Sequence, residues 1–369
     1  MKTYKVGIIG FGFIGKVHAY GYENLKYYYP NSPFRVEIAG VSTSREETAK
    51  NVKETYGFET TSDYRKLIEN KEIEIIDISS PNIYHFEQLM YGIKNKKHIY
   101  CEKPLVCTIE ETLELEKKLK NFDKNHQVVF HNRFFPSTIK TKQFIENGSI
   151  GNPTIFRIAY YHSGSVDKNK PIGWKQEKGA GVLLDIGSHV IDLIYYFLGN
   201  FKNISGKSKI LYPERKTKNG KIVKVEVEDH IVINAEMENG AIGVIEASKI
   251  ATGTEDELKY EIYGTEGAIR YNSTQPNYLN FYNRKETESG FKKIPTLGNY
   301  PESNFPGPKF TTGWIRGHIH SIYCFIKSIY ENSPAIPSFF DGIYNMKIIE
   351  DIKRGDENAW WNSKKKEER

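Results

Sequence analysis

The stretch Gly10-Phe11-Gly12-Phe13-Ile14-Gly15 constrains this chain more than any other. It follows a β-type run over residues 4–9 and opens a helical pattern over 16–27. Between a strand and a helix, each glycine of a GxGxxG pattern has a mechanical use. Gly10 permits the tight turn, Gly12 lets the backbone approach a pyrophosphate, and Gly15 lets helix and strand pack closely. Phe13 and Ile14 then sit at the helix start, beside the phosphates. Alone the pattern is weak; in this setting, with further strand and helix alternation behind it, it predicts a dinucleotide site.

The alternation continues. A second strand over 35–41 ends in Ser42-Thr43-Ser44-Arg45. An NAD-binding domain often carries an acid here to grip the ribose hydroxyls, and none is present. Hydroxyls and the Arg45 guanidinium suit a 2'-phosphate and lean toward NADP; the alternative is that Arg45 merely opens the helix predicted over 46–56 and faces water. A short strand near 59–60, a helix over 64–70 and a nearly continuous apolar strand over 73–78 follow, the last reading as buried and parallel. It ends in Ser79-Ser80-Pro81-Asn82, with His85 heading a helix. A fifth strand over 98–101 delivers Glu102-Lys103-Pro104 beyond its carboxyl end, where open parallel sheets bind ligands. A surface turn is the competing reading of those three residues. A helix over 109–119 and a strand over 127–131 complete six strands.

After Asn132-Arg133 the pattern changes. A helix over 139–147 precedes β-type runs over 154–161, 230–237, 241–248, 258–263, 268–271 and 279–282, with hairpin punctuation at Glu238-Asn239-Gly240 and Gly264-Thr265-Glu266-Gly267. Within this half, residues 179–192 read as the start of a helix carrying Asp185, His189 and Asp192 at i, i+4 and i+7, which stacks two carboxylates and an imidazole on one face. Such a set can relay protons near neutral pH; a helix with a polar stripe and one hydrogen-bonded histidine fits equally well. Residues 284–312 read as a long loop, followed by helices over 315–331 and 340–352.

A chain of 369 residues exceeds one ordinary core, so two domains are expected, 1–132 and 133–355, with a charged tail over 356–369. The net charge of +6 is small for this length and does not indicate nucleic acid. Cys101, Cys107 and Cys324 lack CxxC spacing, so neither a disulfide framework nor a zinc site is suggested, and a reducing cytoplasm fits. The N-terminal apolar run is broken by glycines and reads as a strand rather than a signal peptide, and no stretch approaches the ~20 apolar residues that span a bilayer.

With these markers in order, the chain resembles the Gfo/Idh/MocA family, that of glucose-fructose oxidoreductase and inositol dehydrogenase. The markers are Gly10 to Gly15, Pro81-Asn82 with His85, Glu102-Lys103-Pro104, and Asp185 with His189. The resemblance implies an α/β protein: an N-terminal Rossmann doubly wound parallel sheet plus a C-terminal α+β domain with an open, mostly antiparallel sheet, and an active site between them. It implies NAD or NADP as cofactor, held by Gly10, Gly12, Phe13, Ile14, Gly15, Ser42, Thr43, Arg45, Ser80, Pro81, Asn82, His85, Glu102 and Lys103. Lys103 is then expected to contact the reacting hydroxyl and Asp185 with His189 to form the catalytic pair. The Lys103–Pro104 bond is expected to be cis, and a homodimer or homotetramer packed through the sheets is expected. The segment Gly173-Trp174-Lys175-Gln176 is similar to members acting on sugars and anhydrosugars.

The expected activity is oxidation of a secondary hydroxyl of a sugar, anhydrosugar or cyclitol. Arg133, His162, Trp174, Asn132, Tyr161 and Asp192 are candidate polyol contacts beside the catalytic three. Trp174 could equally fill a domain boundary, and Arg133 could equally pair with a carboxylate. Three rivals are a glycoside hydrolase that oxidises a ring hydroxyl transiently with retained NAD, a sugar-sensing regulator without turnover, and a metal site at His162, Asp185 and His189. The last matches no compact metal motif.

Overall fold

In the computed structural model, which describes residues 1–173 and 180–357, two compact units are present. Unit 1 comprises Met1–Phe135 and Gly298–Tyr344, and unit 2 comprises Pro136–Leu297 and the chain from Asn345 onward. Contacts therefore group residues 298–344 with the N-terminal part of the chain. Trp174 and its neighbours Lys175 and Gln176 lie outside the described residues, as does the charged tail from residue 358.

In unit 1 the order is β1 (Lys2–Ile9), α1 (Phe13–Tyr28), β2 (Phe34–Ser42), α2 (Glu46–Tyr56), β3 (Thr60–Thr61), α3 (Tyr64–Glu69), β4 (Ile75–Ile78), α4 (His85–Lys94), β5 (His98–Cys101), α5 (Ile109–Leu119) and β6 (His126–Val128). The sheet runs β3-β2-β1-β4-β5-β6 with every pairing parallel. This is the doubly wound order that puts a ligand crevice outside the carboxyl ends of β1 and β4. Local chemistry explains the helix boundaries. Thr108 and Glu111 form a reciprocal capping box at the start of α5, and Gly57 at φ 76° ends α2.

Unit 2 holds α6 (Pro136–Glu146), β7 (Pro153–Tyr161), a π-helical turn (Leu183–Gly187), α7 (Ser188–Leu198), β8 (Phe201–Lys209), β9 (Glu214–Lys216), β10 (Ile222–Lys224), β11 (His230–Met237), β12 (Ile242–Ser248), β13 (Glu257–Gly264), β14 (Gly267–Asn272), β15 (Tyr278–Asn283) and β16 (Lys292–Pro295). Its eight-stranded sheet runs β16-β15-β14-β13-β7-β12-β11-β8, antiparallel except for β7 beside β12. The chain then enters α8 (Trp314–Tyr330) and α9 (Phe339–Glu357).

Helix α8 packs on α1 in unit 1. Ile319, Ile322, Phe325 and Ile326 join Val6, Ile8, Tyr22, Leu25, Ile75 and Tyr100 in one core. The approach is close because Gly21 lacks a side chain: a Cβ there would stand 2.7 Å from Ile322 Cδ1. No helix among the described residues is long and apolar enough to cross a membrane.

Several local expectations change. The expected strand over 127–131 stops at Val128, because His131–Phe134 winds into a 3-10 turn. The expected loop over 284–312 contains β16, which pairs with β15. The polar run Phe201–Lys209 forms β8, the edge of the large sheet. The helix expected through 179–192 begins as a π turn, which changes how Asp185 stands relative to His189.

Candidate active site

At the carboxyl ends of β1 and β4 the glycine turn is tightly fixed. Gly10 has φ 92°, and a Cβ on it would meet the Ser79 carbonyl at 2.7 Å. A Cβ on Gly15 would stand 2.2 Å from the Gly10 carbonyl oxygen. Both are glycine because of protein packing. Gly12 differs, since a Cβ there meets nothing within 4 Å. It caps the 16-residue helix α1 with no side-chain hydrogen bond, leaving free backbone N–H groups and open space that suit a pyrophosphate. Phe13 is 76% exposed and stacks on Trp314 with centroids 5.7 Å apart, so an aromatic pair borders this opening; Ile14 is half-buried one residue on.

The other expected cofactor residues divide by exposure. Ser42 is buried, and its carbonyl accepts the Gly10 N–H at 2.8 Å. Thr43 Oγ1 donates to the Arg45 carbonyl at 3.1 Å, and the Arg45 side chain is exposed ahead of α2. Ser80 Oγ donates to Gln88 Oε1 at 2.7 Å, and Pro81 leads a short 3-10 turn, Asn82–Tyr84, in which Asn82 is buried. His85 has no exposed surface. Its Nδ1 and Nε2 each lie 2.9 Å from a carbonyl, those of Pro104 and Ser80. Burial pushes His85 below its ordinary value, so at neutral pH one nitrogen carries hydrogen and only one contact is a donated bond at a time. A side chain without surface offers nothing to a ligand. His85 ties the end of β4 to the turn after β5.

That turn carries Lys103, half-buried, ahead of a cis Lys103–Pro104 bond. The Lys103 N–H donates to Glu102 Oε2 at 3.1 Å. Behind Glu102 lies a cluster that pattern reading missed. His18 on α1 places Nδ1 3.0 Å from Asp77 and Nε2 3.3 Å from Glu102 Oε1. Tyr22 and Ser79 also donate to Asp77, at 2.9 and 2.6 Å. Burial opposes charge on His18, but Asp77 and Glu102 outweigh it and push the imidazole up to about 10. His318 on α8 completes a set with His18 and Glu102 whose ligand-type atoms lie within 4.8 Å of one another. Burial first, then the neighbouring imidazoles of His131 and His18, hold His318 well below its ordinary value. The proton on His18 supplies the positive charge that two buried carboxylates require. One signal did exist in the sequence: Asp77 is an acid flanked by isoleucines inside an apolar strand.

Arg133 is buried and pairs with Asp341 at 3.1 Å, within unit 1. Asn132 beside it is also buried.

In unit 2, the stretch that carries Asp185 and His189 is held from both ends. Glu228 Oε1 accepts the Leu183 N–H at 2.8 Å, and Asn345 Nδ2 donates to the Ser188 carbonyl at 2.9 Å. Between them Asp185 Oδ2 lies 3.1 Å from Lys249 Nζ, which also donates to the Gly181 carbonyl at 3.2 Å. Lys249, directly after β12, was not expected from the sequence. His189 is 3% exposed and its ring centroid is 5.9 Å from that of Tyr160; Asp192 is buried deeper along α7. His162 Nδ1 accepts the Gly164 N–H at 3.1 Å. Tyr161 alternates with Tyr160 along β7 and so turns to the opposite face of the sheet, where its hydroxyl donates to Glu246 at 2.6 Å. This removes Tyr161 from the group around His189.

The family model described as "Oxidoreductase family, NAD-binding Rossmann fold" matches residues 4–131, and that described as "GFO/IDH/MocA C-terminal domain" matches residues 138–270. The chain is 31% identical to levoglucosan dehydrogenase of Pseudarthrobacter phenanthrenivorans, covering 98% of each chain. It is 25% identical to glucose-6-phosphate 3-dehydrogenase of Bacillus subtilis over 96% of this chain and 97% of the relative. It is 29% identical to myo-inositol 2-dehydrogenase of Thermotoga maritima over 72% and 74%. A solved levoglucosan dehydrogenase in complex with NADH and levoglucosan superposes with a TM-score of 0.92 at 31% identity, covering 96% of this chain and 97% of that one. An open glycine turn on a parallel sheet of this order and two family matches along the chain lead to one conclusion: the protein belongs to the Gfo/Idh/MocA family of NAD-binding oxidoreductases.

Proposed function

We propose that this protein oxidises a secondary hydroxyl of a sugar, anhydrosugar or cyclitol to a ketone, with Lys103, Asp185 and His189 as its reacting side chains. Bound NAD supplies the acceptor for the hydride that leaves the carbinol carbon. Gly12 and the first turn of α1 hold its pyrophosphate. His189 takes the hydroxyl proton, and the Lys103 ammonium stabilises the oxygen as negative charge develops on it. Asp185, held by Lys249, orients the substrate or His189. The products are the ketone, reduced cofactor and one proton.

The observation that carries this reading is likeness along nearly the whole chain to a levoglucosan dehydrogenase solved with its sugar and NADH. It favours an anhydrosugar or related pyranose as the substrate class. His162 and Arg133 are further candidate substrate contacts, although the Asp341 ion pair occupies part of Arg133. A homodimer or homotetramer remains the reading for assembly on family likeness alone, and light scattering after gel filtration tests it. The test of function is a screen of monosaccharides, anhydrosugars and inositols with NAD and with NADP, following absorbance of the reduced cofactor. Turnover of at least one pyranose or cyclitol is expected, and none with any of them would reject the assignment.

A further inference from the structure

We propose that His18 is a positioning residue for Lys103: clamped between Asp77 and Glu102, it fixes Glu102, and Glu102 in turn holds the Lys103 backbone. The inference rests on the reading that Lys103 acts in the reaction. Three separate pieces of chain meet at this link. Asp77 comes from β4, His18 from α1, Glu102 from the residue after β5, and Lys103 is the next residue. His18 and Asp77 have no exposed surface, and Glu102 is 7% exposed.

The link is continuous in contact. His18 Nδ1 stands 3.0 Å from Asp77, His18 Nε2 stands 3.3 Å from Glu102 Oε1, and the other Glu102 oxygen accepts the Lys103 N–H at 3.1 Å. Asp77 is itself immobilised by Tyr22 and Ser79, at 2.9 and 2.6 Å. Glu102 has one oxygen in a charge contact with His18, without an aligned hydrogen bond, and the other on a backbone N–H, two contacts that oppose its rotation. The Lys103 main chain is thereby tied to the helix that opens at the glycine turn, so the ammonium and the nucleotide cradle share one rigid mount. Displacing a reacting group by about 1 Å can cost on the order of a hundredfold in rate, so such a mount has catalytic value without touching substrate.

The test is a mutant cycle on kcat in the full-length protein, with NAD affinity measured by calorimetry. His18→Gln keeps an amide donor for one carboxylate but cannot clamp both. It is expected to lower kcat by about 10- to 100-fold with NAD affinity changed less than about threefold. In a Lys103→Ala background the same substitution is expected to cost less than about threefold, because the group being positioned is gone. A His18 role in general structure would lower both backgrounds equally, and that result would overturn the proposal. Glu102→Gln breaks the same link with an isosteric side chain and carries the same expectation for kcat in both backgrounds if His18→Gln does not fold. Failure of this link alone shows as a Lys103→Ala enzyme slowed on the order of a hundredfold beside a His18→Gln enzyme of wild-type kcat. Full activity in Lys103→Ala itself would overturn the parent reading as well.

Discussion

The Lys249 ammonium lies 3.1 Å from the Asp185 carboxylate, and both side chains are largely buried. Lys249 follows the end of β12, while Asp185 sits in the π turn ahead of α7. The pair fixes the π turn against the sheet and sets the orientation of Asp185, four residues ahead of His189. Removing one member takes the opposite charge away from the other in a largely buried place. Lys249→Met is therefore expected to cost about 3–5 kcal/mol in urea unfolding, and combining it with Asp185→Asn to cost less than the two changes added separately. Strict additivity would show that the pair contributes no coupling.

Replacing Lys103 or His189 with Ala is expected to lower turnover on the order of a hundredfold or more, with NAD binding nearly intact. Steady-state kinetics beside calorimetric titration with NAD separates the two quantities. Wild-type turnover in either variant would remove that residue from the reaction.

The glycines of the turn should separate by experiment. Gly15→Ala forces a Cβ to within 2.2 Å of the Gly10 carbonyl oxygen and is expected to lower the melting temperature. Gly12→Ala meets no protein atom within 4 Å, so it is expected to fold with an unchanged melting temperature and to bind NAD at least about tenfold more weakly. Unchanged NAD affinity in Gly12→Ala would move the pyrophosphate elsewhere.

Arg45 is exposed at the end of β2, with no acid in the Ser42-Thr43-Ser44-Arg45 run. If a 2'-phosphate can be accepted there, Arg45→Ala weakens NADP much more than NAD. Equal losses for the two cofactors, measured by titration, would end the phosphate reading of Arg45.

Stability should fall on both sides of neutrality, for opposite reasons. Burial pushes His98 and His126 down to about 4 and His320 down to about 3. His98 and His126 also accept backbone N–H groups on Nδ1, at 3.0 Å each. Their folded values lie below the unfolded value of 6.5, so their contribution is complete above pH 6.5 and is lost as pH falls through 4 and then 3. His18 is raised to about 10, so its contribution is complete below 6.5 and is lost as pH rises through 10. Urea midpoints at pH 5, 7 and 9.5 are expected to be highest at pH 7, and His18→Gln is expected to flatten the alkaline side. A wild-type midpoint constant from pH 7 to 9.5 contradicts the His18 assignment.

What the sequence by itself determined was everything encoded within one element and its turn. The GxGxxG run placed a strand, a turn and a helix because glycine spacing and hydrophobic period are local properties. The nearly continuous apolar run ending at Ile78 showed a buried parallel strand, and the alternating runs ending at Met237 and Ser248 showed an antiparallel sheet. The edge strand β8 was hidden because its residues, FKNISGKSK, are largely exposed and polar, as an edge must be to avoid pairing with other chains. Only the tertiary structure decided which charges meet. His18 with Asp77 and Glu102, and Asp185 with Lys249, are joined across long stretches of chain by sheet order and helix packing, and no local pattern records the partner. The same holds for α8, whose amphipathic period predicts a buried face but not that the face belongs against α1. Side-chain period depends on the backbone a few residues either way, whereas a buried ion pair depends on the low-dielectric surroundings that only the folded chain creates.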